Sequence, residues 1–464
     1  MSRGRLICGD SIEALRELPD SSIGAVVTDP PYGLGDTSPR AVSECLRAWA
    51  AGESWTPKGR GFMGRAWDAW VPGPELWREV FRVLKPGGHA LVFAGSRTSD
   101  LMAISLRLAG FELRDSLQWL YGVGFPKNAA IDKAIDRELG RTEDREVVAL
   151  KKVTGGGRRA VKGTGTGHGI AEPGIEGREY LPTEIEITRA ASEEAQRWVG
   201  WGSALKPAYE PILLCRKPIE GNLAQNTLKH GVGGIHIDGC RIPTDDPLSN
   251  HGRSVDSPIY SPLGSMPPGI SPGQELGRWP ANVILDERAG EMLDEQAPRT
   301  GAVSSVVEAS GARSGYGWQE TSARAQRKRD RLSGASRFFY CPKASVKEKE
   351  AGLEDRAQGV TDDGRQTPID NPYQRGKTLR KNTHPTVKPL DLMKNCVRLI
   401  TPEDQVVLDP FAGSGSTLIA AGLEGREYLG IELDPDHVRI AQARLDHWLG
   451  TQKKGPESGQ MELF

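Results

Sequence analysis

The stretch 405–417, Gln-Val-Val-Leu-Asp-Pro-Phe-Ala-Gly-Ser-Gly-Ser-Thr, does most to limit what this chain can fold into. Val406, Val407 and Leu408 form an apolar run short enough for a strand buried on both faces, as in parallel sheets. Asp409 ends the run, Pro410, Phe411 and Ala412 turn the chain, and Gly413-Ser414-Gly415 precedes a helix opening at 416–421. Strand, glycine turn and helix together are the sequence form of a nucleotide-type site. Glycine lets backbone approach a ligand closely, and a helix N-terminus presents unpaired N–H groups. A second strand is predicted over 427–431 and ends at Glu432, 23 residues past Asp409. A carboxylate about 20 positions on is where a ribose-binding acid stands in such folds. The stretch predicts an adenosine-like ligand.

The 464 residues suffice for one full α/β domain with further units attached. Lys and Arg number 60 against 61 Asp and Glu, so any nucleic-acid face must come from uneven placement of charge. Six cysteines are scattered without a C-x-x-C pair, which argues against structural zinc and disulfides and suits a reducing cytosol. The chain shows neither an apolar run near 18 residues nor a leader, and a cytoplasmic protein without membrane contact is expected. Glycine (56) and proline (32) crowd between 150 and 340, so the two ends read as well folded and the middle as loop-rich.

From the start, residues 5–9 predict a strand, and Ser11 an N-cap for a helix over 12–18. Ala25-Val26-Val27 predicts a buried strand ending in Thr28-Asp29-Pro30-Pro31-Tyr32-Gly33. Two consecutive prolines continue neither sheet nor helix, so they fix Asp29 and Tyr32 in a rigid turn at the carboxyl edge of the sheet, where such folds bind ligands. Residues 36–74 read as irregular, a lid or substrate-facing loop. A helix is expected over 75–84, stopped by Lys85-Pro86-Gly87-Gly88, then a strand at 89–93, a helix at 100–108 and a strand at 111–121. This βαβαβ order predicts a largely parallel, doubly wound sheet covered by helices. The glycine-rich basic stretch 151–169 and the run 324–331 are candidate phosphate contacts set against a solvated-loop reading. Residues 209–216 predict a strand closing the first part of the sheet, 336–341 another strand, and 354–382 a polar linker.

At this point the chain resembles the amino-group DNA methyltransferases that use S-adenosylmethionine. TDPPYG at 28–33 looks like their catalytic motif, and DPFAGSGST at 409–417 like their methionine-binding motif. THPTVKP at 383–389 is similar to the segment before that motif, and CGDSIEALRELPD at 8–20 to the stretch before the catalytic strand. The motif order is that of the permuted beta subgroup. The resemblance implies a permuted Rossmann-like methyltransferase fold carrying an inserted loop-rich recognition region. Its parts would be a catalytic half at 1–125, a basic insert at 126–200 and a returning strand at 201–220. A target-recognition region would follow at 221–335, then a cofactor-binding half at 336–449 and a polar tail at 450–464.

The resemblance also implies roles. Asp29 and the Pro30 carbonyl, fixed by Pro31, would accept the N–H groups of an exocyclic amine, and Tyr32 would stack on a base flipped from double-stranded DNA. Methyl transfer would be direct, with no metal. For S-adenosylmethionine, Asp10 would meet the adenine ring and Glu432 the ribose. Asp409, Pro410, Phe411, Gly413, Ser414, Gly415 and Thr417 would surround the methionine part, with Asp29 beside them. His384, Thr386 and Lys388 would close over its end. Against this, Asp10 serves equally as a helix cap and His384 as a loop residue. Aspartate first in D-P-P-Y leans toward adenine N6, with cytosine N4 as the alternative. A catalytically silent DNA-binding protein is the alternative of another class. A protein glutamine-amide methyltransferase or an RNA enzyme shares the planar-nitrogen chemistry. A second copy of the chain is a candidate partner, as is a restriction–modification setting.

Overall fold

A computed structural model of the protein describes residues 4–35, 37–57, 68–122, 128–153, 183–244, 277–297, 334–342, 346–357, 359–361 and 378–450. Strand β1 (Gly4–Cys8) leads to helix α1 (Ser11–Arg16). The cap of α1 is Asp10, one residue before the expected Ser11, because the extended backbone at 10 lets Oδ1 accept from Ile12 N at 2.9 Å and Glu13 N at 3.1 Å. Strand β2 (Ile23–Thr28) is buried throughout. Helix α2 (Pro39–Ala50) then occupies part of the stretch expected to be irregular. Ser38 caps it, Pro39 presets its first turn, and Cys45 and Trp49 are its buried anchors. Helix α3 (Pro74–Val83) runs directly into β3 (Leu84–Phe93). Lys85-Pro86-Gly87-Gly88 therefore lies within a strand instead of ahead of it. Gly87 takes φ +77°, and the register against β2 shifts between Ile23 and Ala25.

Helix α4 (Ser99–Leu108) and strand β4 (Glu112–Leu120) follow as expected. Helix α5 (Ile131–Glu138), an antiparallel pair β5 (Val147–Val153) and β6 (Thr183–Thr188), and the short α6 (Glu193–Gln196) come next. Buried Arg145 ties this unit together, with Nη2 on Asp132 Oδ2 at 2.7 Å and Nη1 on Asp136. Strand β7 (Tyr209–Arg216) returns to the main sheet, α7 (Leu223–His230) packs on β3, and β8 (Val283–Leu285) and α8 (Glu287–Gln296) follow. The strand expected at 336–341 is a 3-10 turn (Ala335–Phe338), with a single bridge from Tyr340 to Ile284. Two consecutive phenylalanines suggest a strand, but both oxygens of the Asp294 carboxylate bind Ser336, through its N–H and its hydroxyl, and wind the backbone there. Helix α9 (Val346–Glu350) precedes a small antiparallel pair, β9 (Gly359–Thr361) and β10 (Thr378–Arg380), inside the expected linker. The chain closes with α10 (Leu390–Ile400), β11 (Val406–Asp409), α11 (Ser416–Leu423), β12 (Glu427–Glu432) and α12 (Pro435–Trp448).

The eight-stranded sheet has the order β1-β12-β11-β2-β3-β7-β4-β8. All its pairings are parallel except those of β7, which runs against both β3 and β4. The expected mostly parallel α/β sheet is thus observed. However, 209–216 is inserted between β3 and β4 instead of closing a segment, and β8 adds an edge strand from the region read as recognition loop. Side chains alternate between two cores. Val26, Ala90 and Val92 face α1 to α4, while Ala25, Val27, Leu91 and Phe93 face α10 and α11. Among the described residues no helix is long and apolar enough to cross a membrane. The basic stretch 151–169 lies outside the described residues from 154 onward, and 324–331 wholly so.

Candidate active site

Because β12, β11, β2 and β3 lie side by side and parallel, Glu432, Asp409, Asp29 and Ala94 emerge at one edge. A cavity of about 1280 Å³ opens there. Of the residues expected to bind or react, all but Gly415 line it.

The two halves are joined at its floor. Thr28 Oγ1 donates to Asp409 Oδ1 at 2.7 Å, and Phe411 N donates to the same oxygen at 3.1 Å. Ser11 Oγ donates to Pro410 O at 2.6 Å, locking the N-terminal helix onto the glycine turn. No basic side chain pairs with Asp409 among the described residues, and burial pushes its carboxyl up from 3.8 to about 6. A carboxyl harder to ionise in the fold than in the unfolded chain costs stability once it is charged. Its unfavourable contribution is therefore absent below about pH 4, grows as pH rises toward about 6, and reaches about 1–3 kcal/mol above that. Asp409→Asn should accordingly gain that amount on the parent between pH 4.5 and 7.5 in denaturant titrations. Parallel stability profiles for the two proteins would refute this account of Asp409.

On the glycine turn, Gly413 N donates to Glu432 Oε2 at 2.8 Å and Asp434 N to Glu432 Oε1 at 2.9 Å. Each carboxylate oxygen keeps a lone pair for hydroxyl groups in the cavity. Gly413 sits at φ +53°, and an added Cβ would lie 2.6 Å from His384 Nε2. Gly415, at φ +79°, instead packs under α12, where a Cβ would meet that of Ala441 at 3.1 Å. Behind the turn, fully buried Arg444 donates to the Ser414 carbonyl, and at 3.0 Å to the Ser414 hydroxyl. His384 and His437 meet edge to face with centroids 4.6 Å apart at the cavity wall.

At the other half, Asp68 Oδ1 accepts from Tyr32 N at 2.9 Å and Gly33 N at 3.2 Å, while Thr98 Oγ1 donates to Tyr32 O at 2.5 Å. These bonds hold the Asp-Pro-Pro-Tyr turn from both sides. Gly33 is at φ +65° with the Val71 backbone 2.6 Å from where a Cβ would stand. Lys388 does not close over the cofactor half, as expected, but enters this half. Its Nζ lies 2.8 Å from Asp29 Oδ2, 3.1 Å from Tyr32 Oη and 3.2 Å from Glu210 Oε2. Three N–H groups meet three acceptors, so the ammonium has no donor left for a ligand. Tyr32 donates its own proton to Glu210 Oε2 at 2.8 Å. Burial alone would discharge Lys388, but Asp29 and Glu210 outweigh it and hold the ammonium charged.

Asp29 Oδ1 is buried and accepts no hydrogen bond among the described residues. Burial raises the Asp29 carboxyl, Lys388 opposes the rise, and Glu210 adds to it. A buried acceptor without a donor is costly, and its residue lines the cavity. Glu210, Asp68, Thr28 and Arg444 were not anticipated from the sequence. Glu210 could have been, had the direction of β7 been known: a reversed strand brings its first residues to the edge where its neighbours end.

The DNA methylase (N6/N4) family model matches residues 305–443, which span the glycine turn and Glu432. The chain is similar over almost its whole length to the Type II methyltransferase M.HindIII of Haemophilus influenzae. Identity is 22% over 464 residues, covering 94% of this chain and 93% of that protein. The DNA adenine methyltransferase YhdJ of Escherichia coli is 40% identical over 63 residues, 14% of this chain and 21% of that protein. Among solved structures, PvuII DNA methyltransferase (cytosine-N4-specific) aligns over 96% of this chain and 86% of its own, at 13% identity and a TM-score of 0.40. The segment that carries the glycine turn and Glu432 thus matches the N6/N4 DNA methylases, in a chain similar almost from end to end to a Type II methyltransferase.

Proposed function

We propose that the protein is a site-specific methyltransferase that places a methyl group on the exocyclic N6 of adenine in double-stranded DNA, with Asp29 as the acceptor that activates the nitrogen. The observation carrying this reading is the buried, unpartnered Oδ1 of Asp29 at the cavity, in a carboxylate whose other oxygen is held by Lys388. An exocyclic amine has its lone pair delocalised into the base ring and is a poor nucleophile. Asp29 Oδ1 and the Pro30 carbonyl, taking one N–H each, favour a tetrahedral nitrogen with its lone pair free. The raised carboxyl of Asp29 also suits Oδ1 to receive the proton that the nitrogen sheds after transfer. Tyr32 lines the same cavity with its hydroxyl pinned by Glu210 and Lys388, so its ring is fixed for stacking on a base turned out of the duplex.

The cavity fits the methyl donor. Asp409 and Glu432 present two carboxylates to it, one buried without a cation among the described residues, which suits a ligand bearing a sulfonium and an ammonium. Glu432 retains lone pairs for a ribose diol, Asp10 stands at the wall as both helix cap and cavity residue, and Gly413 lets the turn approach closely. When bound, S-adenosylmethionine supplies an electrophilic methyl on sulfur. Adenine is preferred to cytosine because aspartate heads the Asp29–Tyr32 turn. Mass spectrometry of nucleosides from DNA of cells expressing the protein decides this. N6-methyladenine is expected, N4-methylcytosine would correct the base, and absence of either mark would overturn the enzyme reading in favour of a silent binder. Base-resolved sequencing of the same DNA would give the target site. Residues 221–335 would read the target site, with α7, β8 and α8 seating that region on the sheet.

A further inference from the structure

We infer that Glu210 is a positioning residue of the transfer step: by sharing Lys388 with Asp29 and fixing the Tyr32 hydroxyl, it keeps a net negative charge beside the reacting amine. The inference rests on the reading of Asp29 given above. Glu210 reaches the site because β7 is reversed, so that Tyr209 and Glu210 lie beside Leu120 and Trp119 at the edge where β2 delivers Asp29. Its Oε2 accepts both from Tyr32 Oη at 2.8 Å and from Lys388 Nζ at 3.2 Å. Lys388 is thereby held between two carboxylates, and the group of Asp29, Glu210 and Lys388 carries one net negative charge. Without Glu210, Lys388 would be matched by Asp29 alone, the pair would be neutral, and the Tyr32 proton would lose its acceptor.

The balance of the reaction shows why this charge matters. The nitrogen lone pair forms the N–CH₃ bond, the electrons of the S–CH₃ bond stay on sulfur, and positive charge passes from sulfur to nitrogen. One N–H proton then leaves for Asp29 Oδ1. Negative charge near the nitrogen is therefore worth more in the transition state than before it. Glu210 touches neither base nor donor and acts through Lys388 and Tyr32. The charged and titratable groups facing this cluster among the described residues are Asp29, Tyr32 and Lys388, with Tyr121 beyond the end of β4. Asp409 adjoins Asp29 from β11 and does not face Glu210.

Single-turnover transfer of labelled methyl to unmethylated genomic DNA, followed against pH with the full chain, tests the assignment. Glu210→Gln should lower the plateau rate about 30-fold and move the acidic limb to lower pH, since the Glu210 charge, after burial, helps to raise the Asp29 carboxyl. Affinity for S-adenosylmethionine, read by calorimetry, should stay within about twofold, and Glu210→Asp should recover part of the rate. A plateau within twofold of the parent, a limb that does not move, or loss of donor binding would each overturn the inference. An unmoved limb would belong to Asp409. If Glu210→Gln does not fold, Glu210→Ala decides in its place, and a parent-like rate with an unmoved limb refutes. Undiminished transfer by Asp29→Ala would instead overturn the underlying reading of the site.

Discussion

Asp29→Ala should lower single-turnover methyl transfer by about 10³-fold or more and leave S-adenosylmethionine binding within about threefold. The asymmetry follows from the division of the cavity. Asp29 bonds to Lys388 through Oδ2 and lines the cavity on that half, while the glycine turn, Glu432 and His384 stand on the other half. Asp29→Asn should be nearly as inactive, for a reason specific to this site. Lys388 offers only donors, so the new amide turns its oxygen toward Nζ and its NH₂ toward the substrate amine, donor against donor. Calorimetry with the donor and a rate measurement on each variant suffice. Loss of donor binding in Asp29→Ala, or substantial transfer by Asp29→Asn, would refute the division.

Gly413→Val should do the reverse, weakening S-adenosylmethionine binding at least about 100-fold. A β-branched residue is poorly tolerated at φ +53°, and its Cβ would stand 2.6 Å from the His384 ring, so the turn must move. Movement there also breaks the Gly413 N bond to Glu432, the two changes falling on one ligand face. Thermal stability should drop as well. The transfer rate at saturating donor should fall much less than the affinity. Unchanged affinity in a folded Gly413→Val would show that the turn does not touch the donor.

Both turns were legible because each is local. A short apolar run, an acid and a fixed break by Pro-Pro or Gly-Ser-Gly need no partner to be read, and their strands lie where expected. What could not be read depends on direction or on competition between neighbours. Glu210 looks like any acid heading a strand until β7 is seen to run backward. Lys388 was placed near the cofactor by its motif, yet Asp29 and Glu210 draw it across. Asp10 outcompetes Ser11 as a cap by a single residue, and α2 was hidden because its two buried anchors sit among charged and small residues. Ser336 is wound by Asp294, a residue 42 positions earlier that no local pattern exposes.

The bond from Thr28 to Asp409 spans 381 residues, and β1 pairs with β12 from Gly4 opposite Tyr428. On a ribosome, β2 is therefore made long before the strand that flanks it, and Asp29 is made long before Lys388. Until β11 and β12 emerge, an apolar strand waits with one side open, a state that loop-closure cost makes slow to leave and that invites holdase chaperones. A product that ends before Lys388 carries the Asp29 turn but neither that lysine nor the glycine turn, so on the reading proposed above truncated chains are expected to be inactive.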